Sequence, residues 1–391
     1  MVAEHARSLI FVDYGELQSP GLLAKGFYFL TGFGHEAVMV FFVISGYLVG
    51  GKVWSLYREG RFGWRRYLAD RFSRLYAVLI VALILGAAMD WSGYLFFNKY
   101  GLYNHGYEGS IAVLGAAPIE RMGWRDFLVN AFFLQTIVGP TFGSNGPLWS
   151  LAYEWWYYVL FPAMVALVFR KGWMGVAVGA VLTILLIFVL PSDIIWLFGI
   201  WVLGVGAAAW PLHNSGALIS DGGEQKSEAR DGWGGVSKQV PCSAKGGWRV
   251  ALIALAVLFL MGALLLARSE VLKVPYGWQY LLGMAFALML LYLAKSSRLW
   301  VFSKPSAYLA DFSYSVYLIH FPVLMFVVSV AFSLTGYGIK VPFGAAGLIW
   351  FAVVFASAIL FAWLVSMFTE RNTHLVRVWF YSTLQIQLAN K

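Results

Sequence analysis

Residues 343–368, F-G-A-A-G-L-I-W-F-A-V-V-F-A-S-A-I-L-F-A-W-L-V-S-M-F, form a long apolar run without one charged side chain. At roughly 1.5 Å per residue, a helix of this length crosses about 30 Å of hydrocarbon. The run therefore predicts a transmembrane α-helix, and other stretches share its character. We predict spans near 36–57, 75–97, 149–169, 173–190, 194–212, 249–267, 277–294, 313–333 and 343–368.

The composition agrees with a chain that lies mostly in lipid. Hydrophobic residues make up 60% of the 391, charged residues only 12%, and the mean hydropathy is +0.72. A soluble domain carries roughly 25% charged residues. Residues 1–14 have the pattern of the second half of another helix. We therefore expect an all-α polytopic transmembrane helix bundle of about ten helices, with the first truncated.

Two segments between the predicted spans differ from them. Residues 98–148 predict a long loop with a re-entrant or interfacial piece near 127–138. Residues 214–247 are rich in Gly, Ser and charge, which is typical of a flexible loop. Cys242 is the single cysteine, so an intrachain disulfide is excluded. The six histidines show no metal-binding spacing, so we expect no metal site.

The distribution of basic residues predicts the orientation. Of the 28 Lys and Arg residues, 20 fall in one set of alternate loops, which includes 52–74 and 214–247. Positive residues accumulate in cytoplasmic loops, so we assign that set to the cytoplasm, together with both ends of the full topology. The net charge of +9 follows this pattern and does not predict a nucleic-acid partner. The oligomeric state stays open.

Ionisable groups within membrane spans are costly and therefore candidates for function. His5 lies in the half-helix, where a histidine can act as a general base, or can simply bond a neighbouring carbonyl. Arg71 and Arg74 share one helix face at i, i+3, where two guanidinium groups suit phosphate oxygens. The alternative for the arginines is ordinary anchoring at the membrane surface.

Two further candidates lie in later spans. Ser150 and Glu154 share a helix face just after the break at Gly146 and Pro147, although Glu154 could instead lie at the interface. His320 lies two turns into its predicted span, where it could line a site or only pack between helices.

Four segments, taken together and in this order, resemble the acyltransferase type 3 family. They are V-M-V-F-F-V-I-S-G-Y-L-V (38–49), R-F-S-R-L-Y (71–76), N-G-P-L-W-S-L-A-Y-E-W-W-Y-Y-V-L-F-P (145–162) and S-Y-S-V-Y-L-I-H-F-P (313–322). The resemblance implies a single acyltransferase domain over 1–391. It also implies a membrane O-acyltransferase that acylates glycans of the bacterial cell surface.

The resemblance implies a mechanism as well. Acyl-CoA, with acetyl-CoA expected, would be a co-substrate held by Arg71 and Arg74, and no cofactor would be bound permanently. His5 would accept the proton of a hydroxyl on the glycan acceptor, either in direct attack or after forming an acyl-histidine. Glu154 would act from the extracytoplasmic side. The residues that would line the site or bind the acceptor are Asn145, Trp149, Ser150 and His320.

One departure from the family pattern concerns the first helix. The family carries an Arg about three turns before the histidine that matches His5, and here no residue occupies that position. We therefore expect an N-terminally shortened chain.

Two other classes of membrane protein stay open at this point. One is a transporter or flippase for a glycan or lipid precursor, and the other is a non-catalytic scaffold for glycan assembly.

Overall fold

The computed structural model describes residues 1–104, 117–169, 173–210, 247–268, 275–293 and 310–385. A bilayer core offers no water to hydrogen-bond the backbone, so a membrane-spanning segment pairs its N–H and C=O groups with each other as a helix. The α-helices are α1 Val2–Ile10, α2 Leu22–Leu30, α3 Gly34–Ser45, α4 Gly51–Arg58, α5 Trp64–Phe96, α6 Trp124–Ala131, α7 Trp149–Phe169, α8 Trp173–Val189, α9 Ser192–Ala209, α10 Gly247–Arg268, α11 Gly277–Leu293, α12 Ser313–Thr335, α13 Ala345–Phe368 and α14 Thr373–Thr383.

The helical membrane architecture is confirmed. Six helical stretches of the described residues are long and apolar enough to cross a bilayer, and three shorter apolar helices accompany them. All nine lie where the sequence predicts spans. Helix α5 starts at Trp64, earlier than the predicted 75, so Arg71 and Arg74 lie well inside it. The predicted flexible loop 214–247 lies outside the described residues, apart from Gly247 at the start of α10.

Helices α3 and α9 make a close contact that positions a polar cluster. Helix α3 continues through a π-helical turn, Gly46–Gly50, into α4, and such turns are frequent at functional sites. A side chain at Gly46 would collide with the carbonyl of Trp201 in α9, and one at Gly204 with the carbonyl of Val43. The glycines therefore allow the two backbones to approach closely, as is common in membrane bundles.

Helix α12 lies at the centre of the site region, because α1, α5 and α13 all pack against it. The chain after α1 is tied to the loop before α13, where Val341 N donates to Ile10 O and Val12 N donates to Val341 O. Lys340 and Asp13 add an ion pair of 3.2 Å. These contacts fix the first helix against the twelfth.

The long loop before α7 enters the bundle, as the sequence predicts. Gln135 is fully buried and its Nε2 donates to the carbonyl of Leu148 at 2.9 Å. Phe133 stacks on Trp155 of α7, with ring centroids 4.8 Å apart. The loop thereby places residues 144–148 against α12.

Candidate functional site

The two histidines predicted from separate motifs lie together. His5 of α1 stacks on His320 of α12, with ring centroids 5.4 Å apart and planes 22° apart. The edge of Phe321 closes one side of His5 at 5.2 Å. His320 is fully buried and His5 is half-buried. We call His5 and His320 the histidine pair.

The hydrogen bonds of His320 define its tautomer. Its Nδ1 lies 2.9 Å from the carbonyl of Val316 and 2.8 Å from that of Tyr317. Carbonyl oxygens only accept, so Nδ1 carries the hydrogen and Nε2 is left as an acceptor. His320 Nε2 and His5 Nδ1 are both buried without a hydrogen-bond partner among the described residues. The histidine pair therefore has two buried ring nitrogens with unused bonding capacity.

Pro322 explains how Asn145 is held next to the histidine pair. Proline has no N–H, so the carbonyl four residues earlier, at Leu318, loses its helical partner. Asn145 Nδ2 donates to that carbonyl at 2.7 Å. Asn145 is buried, and its Oδ1 has no partner in the described part of the chain. The amide thus offers a second unoccupied acceptor in this region.

Ser150 is anchored to α12 through Tyr317. The Tyr317 hydroxyl donates to the carbonyl of Pro147 at 2.6 Å, so it can only accept in its close contact with the Ser150 hydroxyl. Ser150 therefore lies where the sequence predicts, at the junction of the loop with α7. Trp149 packs differently, since its ring stacks on His35 at 5.8 Å.

Glu154 belongs to a buried cluster that we call the carboxylate cluster, formed with Ser45, Tyr158 and Trp201. Ser45 Oγ donates to Glu154 Oε1 at 2.8 Å, and the Tyr158 hydroxyl donates to the same oxygen. Trp201 Nε1 donates to Ser45 Oγ at 3.1 Å. The charges of Arg74 and Arg71 also act on Glu154. The carboxylate thus lies with the arginines, whereas the sequence predicts it on the opposite side of the site.

Asp90 positions the start of the loop segment that carries Asn145. Its two oxygens accept from Ser144, one from the backbone N–H and one from the hydroxyl, both at 2.7 Å. Asp90 is buried and feels the charge of Arg121. Burial lowers the pKa of the Arg121 guanidinium from its ordinary value, and Asp90 opposes that effect. Asp90 is not among the predicted site residues, because it lies in no motif.

A cavity of about 620 Å³ lies at the end of the bundle that carries the basic loops. Arg71 and Arg74 line one wall, as the sequence predicts, and Tyr314 of α12 lies between that wall and the core. Arg71 Nε is buried without a hydrogen-bond partner among the described residues. Arg371 and Arg377, which follow the last predicted span, also line the cavity. We call this space the arginine cavity.

One face of α12 connects these regions. Tyr314 lines the arginine cavity and donates to the carbonyl of Leu75 at 3.2 Å. Tyr317 contacts the loop, and His320 contacts His5. The three residues recur every third position, so they share a helix face. At 1.5 Å per residue, Tyr314 and His320 are separated by about 9 Å along the axis.

Comparisons with known proteins give one family. A family model described as an acyltransferase domain, of type 3, matches residues 6–367. An uncharacterized protein of Haemophilus influenzae is 27% identical over 152 residues, which is 39% of this chain and 57% of that protein. The match thus spans little more than half the length of that relative. No solved structure matches the chain.

Proposed function

The chain belongs to the acyltransferase type 3 domain family, and on that premise we propose that it transfers an acyl group, acetyl in the simplest case, from acyl-CoA to a hydroxyl of a cell-surface or lipid-linked glycan. Membership of this family supports a membrane acyltransferase over the transporter and the scaffold. The donor, the acyl group and the acceptor are the parts that we propose.

The observation that carries the proposal is the arrangement along α12. A cavity lined by arginines that form no ion pair with a described residue lies at one end. The buried His320, stacked on the half-buried His5, lies about 9 Å further along the same helix face. A thioester donor with a phosphorylated head and a long neutral arm needs such an arrangement. Its phosphates require cations near water, and its reactive carbonyl requires a base in a space that excludes water.

The reaction balances with the residues present. The glycan hydroxyl oxygen attacks the thioester carbonyl carbon while His5 accepts the hydroxyl proton. The carbon–sulfur bond then breaks, the thiolate leaves, and the proton on His5 passes to sulfur to give free CoA. General-base assistance of this kind contributes typically 10²–10⁴-fold. The alternative through an acyl-histidine uses the same ring as the nucleophile.

The neighbouring groups have supporting roles in this proposal. His320 holds the His5 ring by stacking and presents Nε2 as an acceptor for an acceptor-substrate hydroxyl. Asn145 and Ser150 place polar groups where the loop and the start of α7 contact α12. Glu154 places a carboxylate within electrostatic reach of Arg71 and Arg74. Trp149 gives an aromatic surface of the kind that sugar rings contact.

The proposed location is the bacterial inner membrane, with the arginine cavity facing the cytoplasm. This orientation rests on the excess of basic residues in one set of loops. It gives the cavity access to cytoplasmic acyl-CoA, while the acceptor would approach from the other face.

The test combines an assay with a glycan measurement. Membranes containing the wild-type protein should consume acetyl-CoA when the acceptor glycan is present, and a deletion strain should lose acetyl groups from that glycan by mass spectrometry. If the membranes consume a longer acyl-CoA instead, the proposal changes only in the identity of the acyl group. A deletion strain with unchanged acylation of every surface glycan and lipid precursor would overturn the proposed acceptor.

A further inference from the structure

Helix α14 forms the outer wall of the arginine cavity, although it begins after the last residue of the family match. It is docked on α5 by specific contacts. The Tyr381 hydroxyl donates to Asp70 Oδ1 at 2.6 Å, and Arg65 Nη2 donates to the carbonyl of Leu384 at 3.2 Å. The rings of Phe72 and Phe380 meet at 5.2 Å. The helix is therefore a fixed part of the cavity.

The cavity has two pairs of arginines on two walls. Arg71 and Arg74 come from α5, whereas Arg371 and Arg377 come from the segment after α13. None of the four forms an ion pair with a described residue within 4.0 Å. Their positive charge is therefore available for a ligand.

The arginines of the cavity outnumber its acids by four to three, so the lining keeps a net positive charge. Asp70 accepts from Tyr381, and Glu370 accepts from both the backbone N–H and the hydroxyl of Ser315. Glu370 thus caps the start of α12. Asp311 lies exposed in the same space. Arg71 Nε keeps a donor without a partner among the described residues.

We propose that Arg371 and Arg377 bind the ribose 3′-phosphate of CoA while Arg71 and Arg74 bind its diphosphate. This inference rests on the proposed function and adds to it a site for donor selection. CoA carries its phosphates in two separate groups, which matches two arginine pairs. A cavity of about 620 Å³ is of a size that suits such a ligand.

The assignment of each pair follows from depth. Arg71 is partly buried and Arg74 is exposed, but both lie within electrostatic reach of Glu154 in the core. Arg371 and Arg377 are exposed. The acyl arm leaves the diphosphate and must run inwards to His5, so the diphosphate belongs at the inner pair. The nucleotide end, which carries the 3′-phosphate, then meets the outer pair.

Binding of CoA and of 3′-dephospho-CoA tests the inference. Both ligands are titrated against the full-length protein in nanodiscs of uncharged lipid. The wild type should prefer CoA by roughly tenfold or more, as expected for charge-assisted bonds to one phosphate. Arg371→Ala and Arg377→Ala should reduce this preference towards one and leave the affinity for 3′-dephospho-CoA unchanged. That unchanged affinity also shows that the variants are folded.

Arg58→Ala is the matched control, since Arg58 is an exposed arginine at the end of α4 that does not line the cavity. It should keep the wild-type preference. A wild type that binds CoA and 3′-dephospho-CoA equally, or an Arg377→Ala variant with full preference, overturns the inference while the acyltransferase proposal stands. A wild type that binds neither ligand overturns the proposed donor itself.

An anionic lipid headgroup offers the same phosphate chemistry from another source. A second set of nanodiscs with phosphatidylglycerol separates the two sources. Nucleotide binding should retain its preference for the 3′-phosphate there, with at most a weaker affinity. Loss of CoA binding in anionic nanodiscs, together with no preference in uncharged ones, would make the cavity a lipid site and overturn the inference.

Discussion

The histidine pair and the arginine cavity are two of the polar regions in a largely apolar bundle, and their polar groups are accommodated in opposite ways. In the first, buried groups are held by short internal bonds, such as those from His320 Nδ1 to two carbonyls. In the second, the arginines face an open space and form no ion pair with a described residue. Buried unpaired polar groups are costly, whereas solvated charges are not.

This difference separates two tasks. A group whose environment is dry and rigid can stabilise a transition state, and a group in a wet cavity is suited to holding a charged substrate. Variants in the histidine pair should therefore change kcat, and variants in the arginine cavity should change KM for the donor.

The largest expected effect is at His5. His5→Ala should lower kcat by roughly 10²–10⁴-fold, because it removes the group that accepts the proton of the attacking hydroxyl. The KM for acetyl-CoA should stay near the wild-type value. The measurement is steady-state acyl transfer by purified protein in lipid nanodiscs.

His374→Ala is the control matched by residue type. His374 lines the arginine cavity, so its loss should alter KM for the donor and leave kcat close to wild type. A His5→Ala variant that retains full kcat would remove His5 from the mechanism and erase the distinction between the two regions.

An intermediate effect is expected in the arginine cavity. Arg74→Ala should raise KM for acetyl-CoA by roughly 10- to 100-fold, the range expected for charge-assisted bonds of about 1.5–3 kcal/mol. The kcat at saturating donor should be retained. Kinetics at increasing donor concentration separate the two parameters. Arg58→Ala should behave like wild type, and a tenfold loss in that control would indicate a general surface effect.

The smallest expected effect concerns the bond between Asn145 and the carbonyl of Leu318. Asn145→Ala should lower the free energy of unfolding by about 1–2 kcal/mol, because that carbonyl lacks a helical N–H. In a Pro322→Ala background the backbone N–H at 322 can bond the carbonyl, so the cost of Asn145→Ala should shrink. Thermal unfolding of the four proteins in the cycle measures the coupling.

Equal costs of Asn145→Ala in both backgrounds would contradict this account of the kinked helix. The helix that carries His320 would then be held less rigidly than its contacts indicate. Only the different effects of the variants on kcat and KM would still distinguish the histidine pair from the arginine cavity.

Much of the fold could be predicted from the sequence, because long apolar runs in lipid can only be helices. The nine predicted spans all coincide with helices. The missed helices are those that are not apolar throughout. Helix α2 contains Lys25 and Gly26, and α14 alternates apolar residues with His374 and Arg377. Their stability comes from packing on neighbours, which a single sequence does not display.

The residues of the candidate site could be predicted from the sequence, but their arrangement in space could not. His5 and His320 stood out individually as ionisable groups in spans, yet no local pattern shows that they stack. Tyr317 could have been found, because it lies midway between Tyr314 and His320 on one helix face. The carboxylate cluster could not, since Ser45 and Glu154 meet only through the close approach of helices far apart in the chain.

The pairing of α1 with α12 has a consequence for biogenesis. His5 enters the membrane early in synthesis, while its partner His320 is translated much later in the chain. The arginine cavity has the same dependence, because α14 follows the nine predicted spans. The histidine pair and the closed cavity can therefore form only after α12 and α14 have been made. Both polar regions are products of late tertiary assembly, so neither is complete in a partly made chain.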